Sequence, residues 1–273
     1  MRAYHYRSGG AAKKSPFQRR PKAKTRGFVG KTLDWLVIVA ILAAAAYSLI
    51  LSPQPTTVLN STVYRTKDAY NDAAITILKQ LKNRNKLTFD ENSLEAALKR
   101  QFPEVSSAAV DLPLFGRSPT VRITIAKPSL ILKGAEGTVG DGQRLIIDSK
   151  GTVIGPVSDF PAIQDLPLIT DETGYEARVG RSALSLSDVN FILTVIAQAN
   201  NAKVPIASLI LPTLAQEVDL RTTDRGYFVK FYLAGDALVQ SGQFLAARKN
   251  FEQTKKDPAQ YLDVRVFGKV FYK

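Results

Sequence analysis

The spacing of apolar and polar positions changes several times along the chain, and each change predicts an element. Between Asp34 and Arg65 there is no charged residue, and the first part of this stretch, Trp35–Leu51, is almost continuously apolar. Counted from Leu33, the run is 19 residues, about 28 Å as a helix and close to the hydrocarbon thickness of a bilayer. Trp35 and Tyr47 stand near its ends, where amphipathic rings favour the interface, and Pro53 and Pro55 forbid continuation. A membrane helix over 33–52 is expected. A cleaved signal peptide, with its A-x-A site inside Ala43–Ala46, and a buried core helix are the competing readings. The long segment before the run argues against the first, and its apolarity on all sides argues against the second.

Residues 56–63 have strand composition. From Lys67 onward, Tyr70, Ala74, Ile77, Leu78 and Leu81 fall on one helical face, ended by Asn83 and Asn85. Asp90 is a good N-cap for a second helix, with Phe89 and Leu94 as a hydrophobic staple, Leu94, Ala97 and Leu98 as its stripe, and Pro103 beyond its end. Val105–Leu112 and Thr120–Ala126 read as strands joined near Gly116, and the second alternates Val121, Ile123 and Ile125 with Arg122 and Thr124. Residues 55–127 thus predict a β-α-α-β-β unit, its helices on one face of a three-stranded sheet.

Pro128 opens a second region, 128–273. Leu145–Ile154 reads as a hairpin turning at Ser149–Gly151, followed by a loop over 155–167. Ser187 is expected to cap a helix whose buried face is Phe191, Ile192, Val195, Ile196 and Ala199, ended by Asn200-Asn201. Strands follow near 206–211, 216–222 and 226–233, the last two joined by the turn Thr223–Gly226, then a helix over 236–254. Tyr261–Phe267, Gly268 and Lys269–Tyr272 close the chain as two strands and a turn. The fold class is α+β, with a mostly antiparallel β domain and helices packed on one of its faces.

The net charge of +13 sharpens this plan. Ten basic residues and no acid lie in residues 1–33; subtracting that +10 from +13 leaves +3 over the remaining 240. The basic tail, 1–32, reads as disordered and as a topogenic signal that keeps the N-terminus cytoplasmic and places the body across the membrane. A nearly neutral body argues against a nucleic-acid partner. There is no cysteine, and the single histidine, His5, lies in the tail. Cys–His and Ser–His–Asp chemistry and His/Cys zinc sites are thereby excluded from the body. Gly134, Gly137, Gly140 and Gly142 cluster without a P-loop Lys-Ser/Thr or a Rossmann helix start, and read as a hairpin loop. No catalytic, cofactor-binding or metal-binding residue is assigned, and no small-molecule substrate is expected.

The closing segment carries the remaining information. Asp263 and Arg265 are two apart on a strand and share a face with Tyr261 and Phe267, which fits a cross-strand ion pair fixing register better than a docking pair. Leu262, Val264 and Val266 on the other face are expected to be core. A chain-terminal strand commonly lies at a sheet edge, where unpaired N–H and C=O groups can accept a strand from another protein.

Tyr261–Lys273, with its Tyr-apolar-Asp-apolar-Arg strand, Gly turn and short final strand, resembles the closing signature of the FtsQ/DivIB bacterial cell-division proteins. Leu145–Gly151 resembles that family's apolar-Asp-x-x-Gly hairpin, and Pro103–Val110 its Pro-x-Val-x-x-Ala-x-Val run within a POTRA domain. Asn60-Ser61 departs from the Gly-Asn that POTRA domains often carry, and Ala126-Lys127-Pro128 from a frequent Glu-Arg-x-Pro. The resemblance implies a single-pass cell-membrane protein at the division septum, with a POTRA domain over 55–127 and a β domain over 128–273. It implies a non-enzymatic scaffold in control of septal peptidoglycan synthesis. An FtsB-type partner, bound with FtsL, would add a strand beside Val266, Phe267, Gly268, Lys269, Val270, Phe271, Tyr272 and Lys273. Val63-Tyr64 and the second helix of the POTRA domain are a second docking candidate. The competing class is a membrane-tethered envelope enzyme, or a POTRA protein of transport.

Overall fold

The computed structural model describes residues 28–114, 116–135, 142–163, 165–214 and 216–273. The basic tail with His5, and the loop glycines Gly137 and Gly140, lie outside them. Two compact units divide the chain at Tyr47/Ser48.

The first unit contains the helix α1, Phe28–Ser48. Its 21 residues give about 31 Å of helix, but Lys31 and Asp34 confine the charge-free part to Trp35–Ser48. Among the described residues no helix is long and apolar enough to cross a membrane. The membrane span expected over 33–52 is therefore not found among the described residues, and the helix there also ends short of it. Residues 49–52 leave the helix and join the second unit. There Lys86 N–H donates to Leu49 C=O (2.9 Å), Leu51 N–H to Arg84 C=O (2.8 Å), and the Leu51 side chain is buried.

The second unit holds two sheets. Strand β1 (Thr56–Leu59), helices α2 (Lys67–Leu78) and α3 (Glu91–Gln101), and strands β2 (Val105–Asp111) and β3 (Thr120–Ile125) give the expected β-α-α-β-β order. The sheet order is β1-β3-β2, with β1 parallel and β2 antiparallel to β3. Asp90 caps α3 by accepting from Asn92 N–H (3.1 Å). Strand β1 is shorter than 56–63 because Asn60 takes over the ladder with its side chain. Its Nδ2 donates to Ile125 C=O (3.2 Å) and its Oδ1 accepts from Ile125 N–H (2.7 Å). Helix α2 ends at Leu78, before Asn83, whose amide donates back to Ile77 C=O (3.0 Å) and closes the turn after it.

Strands β4 (Pro128–Gly134), β5 (Arg144–Asp148), β6 (Val153–Pro156), β7 (Leu168–Asp171), β8 (Ile206–Leu211), β9 (Glu217–Thr222), β10 (Phe228–Tyr232), β11 (Tyr261–Asp263) and β12 (Phe271–Tyr272) form one sheet of nine. Its order is β12-β11-β10-β9-β8-β7-β4-β5-β6. The hairpin β5–β6 turns as expected. Asp148 accepts from Lys150 N–H (2.9 Å) and Thr152 N–H (2.8 Å), and Gly151 supplies a positive φ of 86°. The sheet is mixed: its pairs are mostly antiparallel, as expected, but β4–β7, β7–β8 and β10–β11 are parallel. Parallel neighbours need a crossover. Helices α4 (Leu186–Asn201) and α5 (Ala237–Thr254) supply those of β7–β8 and β10–β11. Both helices pack on one face, where Phe191, Ile192, Val195, Phe244 and Phe251 share a core with Leu209, Leu220, Phe231 and Leu262. The cap of α4 is Ser185 and not Ser187. Ser185 Oγ accepts from Asp188 N–H and the Asp188 carboxylate from Ser185 N–H (both 3.1 Å), a reciprocal box that Ser187, two residues later and already helical, does not form.

A second core joins the two sheets. Tyr70, Ile77, Leu94, Leu98, Val121 and Ile123 of the first sheet and its helices pack with Ile146, Ile154, Phe160 and Ile163 from beyond Pro128. At this junction Arg65 lies between the rings of Phe102 and Phe160 (5.6 and 5.2 Å to the centroids) and pairs with buried Glu104 at 2.8 Å.

Candidate partner-docking edge

The nine-stranded sheet ends differently on its two sides. At β6 the outward groups of Val153 are taken: its N–H donates to Arg181 C=O (2.9 Å), and its C=O accepts from Gly180 N–H (2.8 Å). Pro156 ends that strand without a donor. In the smaller sheet, Glu91 Oε1 accepts from Val110 N–H of β2 at 2.8 Å.

At the other end lies β12. It pairs antiparallel with β11 through Leu262–Tyr272 and Asp263–Phe271. Lys273 N–H donates to Tyr261 C=O (3.1 Å) and Tyr261 N–H to Lys273 C=O (3.3 Å). Antiparallel alternation then turns the N–H and C=O of Tyr272 away from β11, to the open edge. Around this edge Phe267 is 82% exposed, Tyr272 64%, Phe271 51% and Val266 46%. Lys269 and Lys273 are exposed as well. The Tyr272 ring meets Phe251 of α5 edge-on at 5.4 Å.

Two expectations for this segment are corrected. The strand predicted over Tyr261–Phe267 stops at Asp263, and 264–270 forms an arch containing Gly268 (φ 69°). Val266, expected in the core, sits on that arch and is exposed, whereas Leu262 and Val264 are fully buried. The other docking candidate is also corrected. Val63 and Tyr64 are in no strand, and Tyr64 is buried edge-on against Phe160 (5.2 Å) at the junction of the sheets.

Asp263 and Arg265 do pair, but along the chain and not across strands as expected, since β11 ends at Asp263; a wider network supplies the cross-strand contact. Arg265 donates from Nε (2.9 Å) and Nη2 (2.7 Å) to Asp263, and also pairs with Glu217 of β9. Lys230 of β10 pairs with the other Glu217 oxygen at 2.7 Å. The network thus pins β11 to β9 across β10, and Glu217 is buried beneath it. Cross-strand register places Arg221, Phe228 and Tyr261 in a row on the same face. Arg221 lies over Phe228 (4.9 Å), and Lys230 over both rings (5.4 and 5.6 Å). Burial pushes the Asp219 carboxyl up to about 6; Lys230 opposes this and Glu217 reinforces it. Burial also opposes ionisation of Asp263, but the hydrogen bonds from Arg265 outweigh it and hold that carboxyl below its usual range. Glu217, Asp219 and Lys230 were absent from the expected site. Their signal was the i, i+2 spacing Glu217-x-Asp219-x-Arg221, one polar face of a strand.

In α1, both proposed interface rings are exposed, Trp35 at 69% and Tyr47 at 59%. Among the described residues no group of three His, Cys, Asp or Glu side chains could hold a metal ion. A scan against protein-family models returns no match for this sequence, and neither does a search of curated proteins.

Proposed function

We propose that this chain is a non-enzymatic scaffold of the FtsQ/DivIB type, held at the cell membrane by its basic and apolar N-terminal segment and docking FtsB/FtsL-type partners by strand addition along β12. The observation that carries the reading is the open edge of β12. Its outward backbone groups and exposed Phe267, Phe271 and Tyr272 contrast with the covered edge of β6. Backbone bonds would supply affinity there, and alternate side chains specificity. The cytoplasmic tail, extracytoplasmic body and septal location go with this reading. What supports the membrane contact is the exposure of α1 side chains from Thr32 to Tyr47, although the described helix falls short of a crossing span.

Two experiments test it. Tyr272→Pro removes the outward N–H while leaving every internal ladder bond in place. Capture of the extracytoplasmic segment of an FtsB-type protein should fall at least 100-fold, with thermal unfolding displaced by no more than about 2 °C. Undiminished capture by Tyr272→Pro overturns strand addition. For the anchor and location, a fluorescent fusion should resist extraction of membranes by alkaline carbonate and form a midcell band. A uniform envelope signal or release into the carbonate supernatant overturns that part.

A further inference from the structure

The arch that delivers β12 to the edge is packed only at its two ends, where Val264 is buried and Val270 lies against the core. Residues 265–269 are all exposed. Arg265, at its start, pairs with Glu217 of β9; beyond that, one side chain from another element holds the exposed stretch. Gln243, in the second turn of α5, donates from Nε2 to Val264 C=O (3.3 Å), Val266 C=O (3.0 Å) and Lys269 C=O (3.0 Å). Its Oε1 accepts from Gly268 N–H at 2.9 Å. The two hydrogens of this one amide thus serve three carbonyls, the longest contact by sharing, and its oxygen serves one N–H around the turn. Inside the arch only the bond from Lys269 N–H to Val266 C=O (3.1 Å) closes the loop. Gln240, one helical turn earlier, treats the end of β10 in the same way: Oε1 accepts from Tyr232 N–H (2.8 Å) and Nε2 donates to Tyr232 C=O (2.9 Å). One face of α5 thus carries two amides aimed at the backbone of the strands beside it, the reason this face reads as polar although it is inward.

We infer that Gln243 is the positioning residue of the docking edge: it preorganises the 264–270 arch so that β12 presents a ready template to an incoming strand. The inference rests on the docking reading above. Without the amide, the arch must be ordered at the moment of binding, and that ordering is subtracted from affinity. Gln243 itself touches no partner.

The test uses the whole chain with Gln243→Ala and Gln243→Glu. Two readouts are followed: amide hydrogen exchange, and capture of the extracytoplasmic segment of an FtsB-type protein. Both variants should exchange faster over 264–273 while β9, β10 and α5 keep their protection. Both should capture the segment at least tenfold more weakly at pH 7. The Glu variant separates bonding from bulk. Ionised, it has the shape of Gln but no donor for the three carbonyls. Its capture should therefore be no better than that of Gln243→Ala at pH 7 and should recover relative to it towards pH 5, as the carboxyl gains a proton to donate. Unchanged exchange over 264–273 overturns the inference, as does capture at wild-type strength by either variant. Loss of protection spreading through β9 and β10 would make Gln243 a general structural residue, and also overturns it. If the wild-type chain captures nothing, the docking reading fails first, and that outcome is distinct from a wild type that binds and variants that bind equally.

Discussion

The two ends of the nine-stranded sheet follow opposite plans. At the β4–β5–β6 end the strands are buried on both faces. Leu130, Ile131 and Leu132 run beside Leu145, Ile146 and Ile147 without alternation, because α4 covers one face and the smaller sheet with its helices the other. Its edge is sealed by 180–182. At the β9–β12 end only the helix-facing side is apolar. Val218, Leu220, Val229 and Phe231 alternate with Glu217, Asp219, Lys230 and Tyr232, and the last strand faces outward unpaired. An edge is a liability that folded chains cover when they can. This chain seals one end with backbone bonds and leaves the other open, the contrast on which the proposed docking rests.

The largest effect should come from breaking the sealed end. Gly151 has a positive φ, and a Cβ there would stand 2.0 Å from Leu184 C=O. Ala183 N–H also donates to Gly151 C=O at 2.9 Å, so the two backbones cannot part without losing the seal. Gly151→Ala should cost about 3–5 kcal/mol, read as a lower denaturant midpoint. A cost below about 1 kcal/mol would show that the seal is loose and the two ends more alike than their geometry suggests.

A matched pair of truncations sharpens the contrast at smaller amplitude. Ile146→Ala removes a fully buried side chain between the two sheets and should cost about 2–4 kcal/mol. Phe267→Ala, at the open end, should change stability by no more than about 0.5 kcal/mol and yet weaken partner capture about tenfold or more. Equal stability losses in the two variants would refute the idea that the ends differ in purpose.

Much of this division was legible in the sequence, but unevenly. Alternation located β3, β8, β9 and β10, and the caps Asp90 and the hairpin Asp148-x-x-Gly151 were readable because each bonds within its own few residues. Strands β4 and β7 were missed. Leu130-Ile131-Leu132 has no period to read, and Leu168–Asp171 is four residues with no alternation of its own, held by parallel neighbours that lie far away in sequence. The terminal strand was visible as a strand but its arch was not. What bends the chain after Asp263 is Gln243, some twenty residues earlier, and nothing local marks that glutamine. The ion pair Asp263–Arg265 was legible from spacing, though as a cross-strand pair and not as one along the chain. Its third member, Glu217, required the fold to bring β9 beneath it.

The smallest effect concerns the carboxylates at the two ends. At the sealed end Asp148 is buried, with two backbone N–H groups on one oxygen. At the open end Glu217, Asp219 and Asp263 face Lys230, Arg265 and Arg221, and Asp219 Oδ1 has no hydrogen-bond partner. Burial lifts Asp219 to about 6, above an unfolded value of about 3.9. Between these values the folded carboxyl holds a proton that the unfolded one has released. Stability should therefore fall as pH rises from about 4 to about 6 and be flat above. Asp263 acts in the other direction and in a lower window, since its depressed carboxyl contributes stability that is lost only as pH falls below about 4. Asp219→Asn removes the titration and gives the site a donor for Glu217. Allowing for solvent screening at a half-exposed group, the variant should be more stable than the wild type by about 1 kcal/mol at pH 7 and equal to it near pH 4. Unfolding midpoints at the two pH values measure both. If Asp219→Asn were instead less stable at pH 7, the ionised carboxylate would be a working partner of Lys230, and the open end would be as fully satisfied as the sealed one.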